Sequence, residues 1–166
     1  LSQLFAPNAV ALVGASEQAG SASRALLENF LQGEYAGQFY AVNPHHDTVL
    51  GTLCYPTVDA IGKPIDLAII ATPATALPEV MESCRKAPVF GALILSAGLR
   101  PVTPESEALL EATFTLAKKS GIRVVGPNSI GLMRPAIGLN GALIQGLVRS
   151  GGVALVSQSG ALLTSM

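Results

Sequence analysis

Largely apolar residues recur along this chain in short runs, set apart by polar stretches rich in glycine and proline. The runs are 10–13 (VALV), 38–43 (QFYAVN), 66–71 (DLAIIA), 90–96 (FGALILS) and 122–125 (IRVV). Each is too short for a helix and lacks strict apolar–polar alternation, the pattern of parallel strands buried on both faces. Helical spacing fills the gaps. Residues 22–31 place Leu26, Leu27, Phe30 and Leu31 on one side. From about Thr75, Leu77, Val80, Met81 and Cys84 fall at i, i+3, i+4 and i+7. Thr103 is an N-cap followed by Pro104 at the first helical position, and that helix runs to Lys118-Lys119 and stops at Gly121.

Strand and helix in alternation predict an α/β fold: a Rossmann-like, doubly wound parallel sheet over residues 1–130, with right-handed crossovers placing helices on both faces. Ligands of such sheets bind outside the carboxyl ends of the strands. Five loops meet there: 14–21, 44–47, 72–75, 96–98 and 126–131. Residues 131–150, with several glycines, read as an irregular connector. The segment VALVSQS at 153–159 nearly copies VALVGAS at 10–16. Residues 151–166 therefore read as the first strand and helix start of a second, truncated, flavodoxin-like α/β domain, and the chain as cut from a longer protein.

Composition narrows the partners. The 166 residues are 49% hydrophobic and only 13% charged, with net charge −1. That suits a sheet covered on both sides, or a surface that another domain covers. The longest basic run is Lys118-Lys119 and aromatics are 5%, so a nucleic-acid groove is disfavoured. No apolar run reaches the roughly 18 residues of a membrane span, and the first residues lack the features of a signal peptide. Cys54 and Cys84 have no metal-ligand spacing. The default expectation is a cytoplasmic protein with no metal site.

The loop after the first run, VALVGASEQAGS, carries the main chemistry. Gly14 ends the strand, and Ser16 and Ser21 offer hydroxyls beside backbone N–H groups at a helix start, an arrangement that attracts anions. A tight packing turn without a ligand is the alternative. The spacing Gly14…Gly20 is not the dinucleotide pattern, and the second strand ends in Asn43-Pro44-His45-His46, with no acid for a ribose 2′-hydroxyl. Two imidazoles there could accept a ribose phosphate, such as the 3′-phosphate of coenzyme A. Ala71-Thr72-Pro73-Ala74 and Ser96-Ala97-Gly98 could line a furrow for its pantetheine arm.

VALVGASEQAGS, VNP, ATPA, ILSAGL, GPNSIGL and VALVSQSGAL, in this order, together resemble the CoA-binding domain of NDP-forming acyl-CoA synthetases. Succinyl-CoA synthetase α chains are more distant relatives. The same module is fused to GNAT-type protein lysine acetyltransferases. The resemblance implies that the phosphates of CoA or acyl-CoA, acetyl-CoA first among them, meet Gly14, Ser16, Glu17, Gln18, Ala19 and Ser21. The nucleotide end would lie near Pro44 and His46 or His45, and the pantetheine along Leu95, Ser96 and Ala97. Pro73 and Asn128 would approach the same ligand. Ser157, Ser159 and Gly160 would form a phosphate loop of the second domain. Gln18 and His46 stand where relatives carry basic residues, so phosphate attraction is expected to be weaker here, and pH-dependent if histidine supplies it. The S-A-G pattern, with Ala97 in place of an acid, points to the NDP-forming acyl-CoA branch.

The resemblance implies a parent acid–thiol ligase working through a phosphohistidine outside these residues. ATP or ADP would be bound by an ATP-grasp domain elsewhere, and an oligomer is compatible with this reading. A CoA-sensing domain of an acetyltransferase and a ligand-free docking module are the alternatives. No catalytic residue is expected within the 166 residues.

Overall fold

The structure is a computed structural model describing residues 1–99, 103–146 and 148–165. Leu147, within the expected connector, and Met166, at the end of the expected second domain, lie outside the described residues. Among the described residues, nine strands and five α-helices follow one another. A short helix α1 (Ser2–Phe5) precedes β1 (Ala9–Val13), α2 (Ala22–Gln32) and β2 (Gln38–Val42). A small hairpin, β3 (Thr48–Val49) and β4 (Thr52–Tyr55), leads to β5 (Ile65–Ile70). Then come α3 (Leu77–Lys86), β6 (Val89–Ile94), α4 (Pro104–Ser120) and β7 (Arg123–Val125). A second hairpin, β8 (Gly131–Arg134) and β9 (Leu139–Ala142), and α5 (Gly160–Thr164) complete the described elements.

The main sheet has the order β3-β4-β2-β1-β5-β6-β7, with every pairing parallel except β3 with β4. The order reverses between β1 and β5, the switch point at which such sheets open a crevice. Strand β1 shows why continuous apolar runs were needed. Ala9, Ala11 and Val13 point to the face covered by α3 and α4, while Val10 and Leu12 point to the face covered by α2. All five are buried. The Rossmann-like doubly wound fold expected from the sequence is the fold observed.

Helix ends follow local chemistry. The Thr103 hydroxyl accepts from Ser106 N in a capping box, and Gly121 closes α4 in the left-handed conformation at φ 68°. Helix α3 starts two residues later than about Thr75, because a 3-10 turn at Ala74–Ala76 precedes it.

Three sequence expectations need correction. Residues 48–55 were unassigned and form the edge hairpin β3–β4. The expected irregular connector contains an antiparallel hairpin, β8–β9. It stands where a helix would otherwise cover the sheet beside α2. Leu139 joins the core with Leu26, Ile69 and Leu93, and Asn29 Nδ2 donates to the carbonyls of Ala142 (3.0 Å) and Ile144 (3.2 Å). Last, Val153–Val156 is no strand, and Val153 and Val156 are each 92% exposed. A strand needs a neighbour for its ladder, and no described strand pairs with this segment. Among the described residues no helix is long and apolar enough to cross a membrane.

Candidate functional site

The carboxyl ends of β1, β2, β5, β6 and β7 open on one edge, and their loops are tied to one another. Asn43 Nδ2 donates to Ala15 O (2.7 Å), joining the loop after β2 to the loop after β1. Ser23 Oγ, in the first turn of α2, donates to Ala71 O (3.1 Å) after β5. Ser96 Oγ, after β6, donates to Thr72 O (2.6 Å). Asn128 N, after β7, donates to Ser96 O (3.1 Å). The sequence-predicted loops are thus neighbours held in fixed relation.

The 14–21 loop is built for close approach. Gly14 has φ 88°, and a Cβ there would lie 2.9 Å from Thr72 Cγ2 and 3.2 Å from the backbone of Ala71. Only glycine lets the end of β1 lie so near the end of β5. Ser16 Oγ accepts from Gln18 N (3.1 Å), and Ser21 Oγ accepts from Arg24 N (3.1 Å) as the N-cap of α2. Each hydroxyl keeps its proton free to donate. Glu17, Gln18 and Ala19 form the exposed rim of the loop.

Arg24 was not singled out from the sequence. Its Nη1 donates to Glu17 O (2.9 Å) and its Nε to Glu28 (2.7 Å). The helix thus brings a guanidinium beside the loop, three residues after the cap and ion-paired with Glu28. The Ser21–Arg24 spacing was visible in the sequence, but only the fold turns that side chain back onto the loop.

The remaining predicted residues divide. Pro44, His45, His46, Pro73, Ala97 and Asn128 are exposed along this edge, and Asn128 holds a left-handed φ of 56°. Asn43, at the end of the second parallel strand, is committed to framework bonds, its Oδ1 accepting from His45 N (2.7 Å). Leu95 and Ser96 are each only 6% exposed. Leu95 packs in the core on the α2 side, so the loop after β6 offers its outer surface through Ala97. Ser157, Ser159 and Gly160 lie at the start of α5. The Ser157 hydroxyl accepts from Ser159 N (3.0 Å) and Ser159 caps α5. Ser157 and Gly160 border a groove of about 540 Å³, walled also by Asn128, Ile130 and Leu93. Gly160 fits against Ile130, whose Cγ1 would lie 2.6 Å from an added Cβ.

Neither cysteine belongs to the edge chemistry. Burial pushes the Cys84 thiol up to about 12, and Cys54 is raised for the same reason. Both are free thiols held in the interior.

Known proteins match this architecture. A family described as a CoA binding domain matches residues 8–135. An ADP-forming acetate–CoA ligase of Archaeoglobus fulgidus is 35% identical over the whole chain, which covers 24% of that protein. An ADP-forming 4-hydroxybutyrate–CoA ligase of Nitrosopumilus maritimus is 34% identical over 99% of the chain and 24% of its own length. Among solved structures, the dinucleotide-forming acetyl-coenzyme A synthetase 1 of Ca. Korarchaeum cryptofilum, in complex with phosphate and ADP, superposes with a TM-score of 0.91. It is 36% identical over 99% of this chain and 36% of its own. The chain spans about a quarter of the length of the ligases it matches. The chain belongs to the CoA-binding domain family, in the branch represented by the NDP-forming acyl-CoA synthetases.

Proposed function

We propose that the chain binds CoA or a short acyl-CoA, acetyl-CoA first among them, along the laced edge of the sheet. The CoA phosphates meet the 14–21 loop and the N-terminus of α2. There the hydroxyls of Ser16 and Ser21 donate, and Arg24 supplies positive charge. The ribose 3′-phosphate lies toward His45 and His46, and an imidazole attracts it only while protonated. The pantetheine arm follows Pro73 and Ala97 toward Asn128. The single observation that carries this reading is the coupling of an anion-ready helix start to a strand-two end without a carboxylate. Asn43 stands there, turned inward onto Ala15 O. A ribose diol has no acidic partner at Asn43.

In the parent protein the domain presents CoA to the ligation chemistry, which ATP- or ADP-binding domains outside these residues complete. The chain's own residues bind and orient the thioester. The matched ligases, named for acetate and 4-hydroxybutyrate, support a small carboxylic acid as the co-substrate.

Calorimetry with CoA, dephospho-CoA and NAD tests the reading. CoA binds, dephospho-CoA binds more weakly, and the gap narrows as pH rises from mildly acidic to alkaline. At about 100 times the dissociation constant, CoA adds about 2.7 kcal/mol to stability, a rise in melting temperature of roughly 5–10 °C for a domain of this size. Preferential binding of NAD refutes the assignment.

A further inference from the structure

Thr72 lies two residues beyond the end of β5, at the switch point of the sheet. Its carbonyl accepts from Ser96 Oγ, and its methyl faces Gly14. Its own hydroxyl oxygen is buried and has no hydrogen-bond partner among the described residues, the one buried side-chain oxygen or nitrogen of which this holds. The two neighbouring serine hydroxyls commit their protons elsewhere, Ser23 to Ala71 O and Ser96 to Thr72 O, so neither donates to it. A buried hydroxyl without a partner destabilises the fold that carries it, and valine of the same shape would not. A threonine kept here against that penalty points to a partner that arrives from outside the chain.

The residue as a whole is only partly buried. One staggered step of about 120° about Cα–Cβ brings the hydroxyl into the place of the methyl, which moves to that of the Cβ hydrogen, and so turns the oxygen toward Gly14. We propose, resting on the CoA reading above, that Thr72 is a ligand-positioning residue whose hydroxyl, unpartnered in the free chain, donates to a diphosphate oxygen of bound CoA. Phosphate oxygens only accept, so a hydroxyl complements them. The diphosphate is the part of CoA assigned to the 14–21 loop, which Thr72 touches. The Ser96–Thr72 bond fixes the backbone from which the hydroxyl swings. Thr72 thus sets both the ligand's position and a preference for a diphosphate over an uncharged chain.

Three chains test this: wild type, Thr72→Val and Thr72→Ser. Each is melted without ligand and titrated with CoA and with dephospho-CoA. Thr72→Val should melt a few degrees above wild type, about the gain from removing one unpaired hydroxyl in a domain of this size. It should bind CoA about 10-fold more weakly or worse, the effect of a lost hydrogen bond to a charged group. The same fold loss should appear with dephospho-CoA, which keeps the diphosphate. Thr72→Ser, with the hydroxyl and no methyl, should bind within about twofold of wild type, since the lost bond is the hydroxyl's. The proposal is overturned if Thr72→Val binds CoA as wild type does, or melts below it. It is overturned too if Thr72→Ser loses as much affinity, or if the loss disappears with dephospho-CoA. A wild-type chain that binds no CoA overturns the functional reading together with this one, and the wild-type titration alone reveals it.

Discussion

Two glycines of the 14–21 loop separate packing from backbone conformation. Gly14 and Gly20 have similar positive φ values, 88° and 76°. Their surroundings differ. A Cβ on Gly14 would lie 2.9 Å from Thr72 Cγ2 and 3.2 Å from Ala71 C and O, whereas one on Gly20 meets nothing within 4 Å. An L-residue in the left-handed region costs roughly 1–2 kcal/mol. The lost freedom of the unfolded chain returns about 0.4–1 kcal/mol. Gly20→Ala should therefore lower stability by about 1 kcal/mol or less. Gly14→Ala carries the same term plus overpacking of about 1–3 kcal/mol, because the nearest backbone atoms are those of Ala71, held by its bonds to Val13 O and from Ser23 Oγ. The expected loss is about 2–4 kcal/mol. Urea unfolding followed by circular dichroism measures both variants, with equal slopes required for the comparison. In melting temperature the gap between them is about 2–12 °C, taking 2–4 °C per kcal/mol for a domain of this size. Equal losses in the two variants would refute the claim that Gly14 is required for close approach of β1 and β5. CoA affinity adds a second reading: Gly14→Ala should weaken it by separating the strand ends, and Gly20→Ala should change it little.

Asn29→Ala removes the bonds from α2 to the carbonyls of Ala142, in β9, and Ile144 just beyond it; Ile144 O keeps Asn140 Nδ2, while Ala142 O loses its Asn29 donor at a cost of about 1–3 kcal/mol, and hydrogen exchange should show residues 139–142 losing protection before β1 does. The Asp59 carboxyl is held below the ordinary carboxylate range, first by the Ser83 hydroxyl and then by Thr57, with Ser83 Oγ donating to Oδ1 at 2.6 Å. Its stabilising contribution is present above the unfolded carboxylate pKa and is lost as pH falls through the lower folded value. In Ser83→Ala the NMR-observed titration of Asp59 should move up toward the usual range, and an unmoved titration would contradict the assigned cause.

Strands β1, β5 and β6 of the main sheet were legible because burial on both faces leaves a one-dimensional trace. The tetrapeptide VALV marks the limit of that trace. At 10–13 it lies between β2 and β5, with every residue at most 4% exposed. At 153–156 the same four residues have no paired neighbour, and the two valines are 92% exposed. The residues are identical, and the neighbours decide the structure. The β8–β9 hairpin was missed for a related reason. Leu139, Asn140, Gly141 and Ala142 are all buried, yet only Leu139 looks like a core residue in the sequence. Asn140 is sequestered because its side chain binds the carbonyls of Ile144 (3.2 Å) and Gly146 (2.8 Å).

At the candidate site, the loops and the helix start could be read from spacing. The division of labour among their polar side chains could not. Ser96 looks like a ligand group in one dimension, and becomes a framework group once the loop after β5 supplies the Thr72 carbonyl. Arg24 shows the converse, a helix residue that reaches back to the loop.

The bonds lacing the strand ends together have a consequence for how such an edge diversifies. Their acceptors are mainly backbone carbonyls, which every sequence provides, and three of the donors are single side chains: Asn43, Ser23 and Ser96. While those three persist, the outward residues Gln18, His45, His46 and Ala97 are free to change without loosening the frame. The edge therefore behaves as a chassis with interchangeable facings. Recognition can be re-tuned toward a different charge or acyl group at its surface, one residue at a time, with little toll on folding.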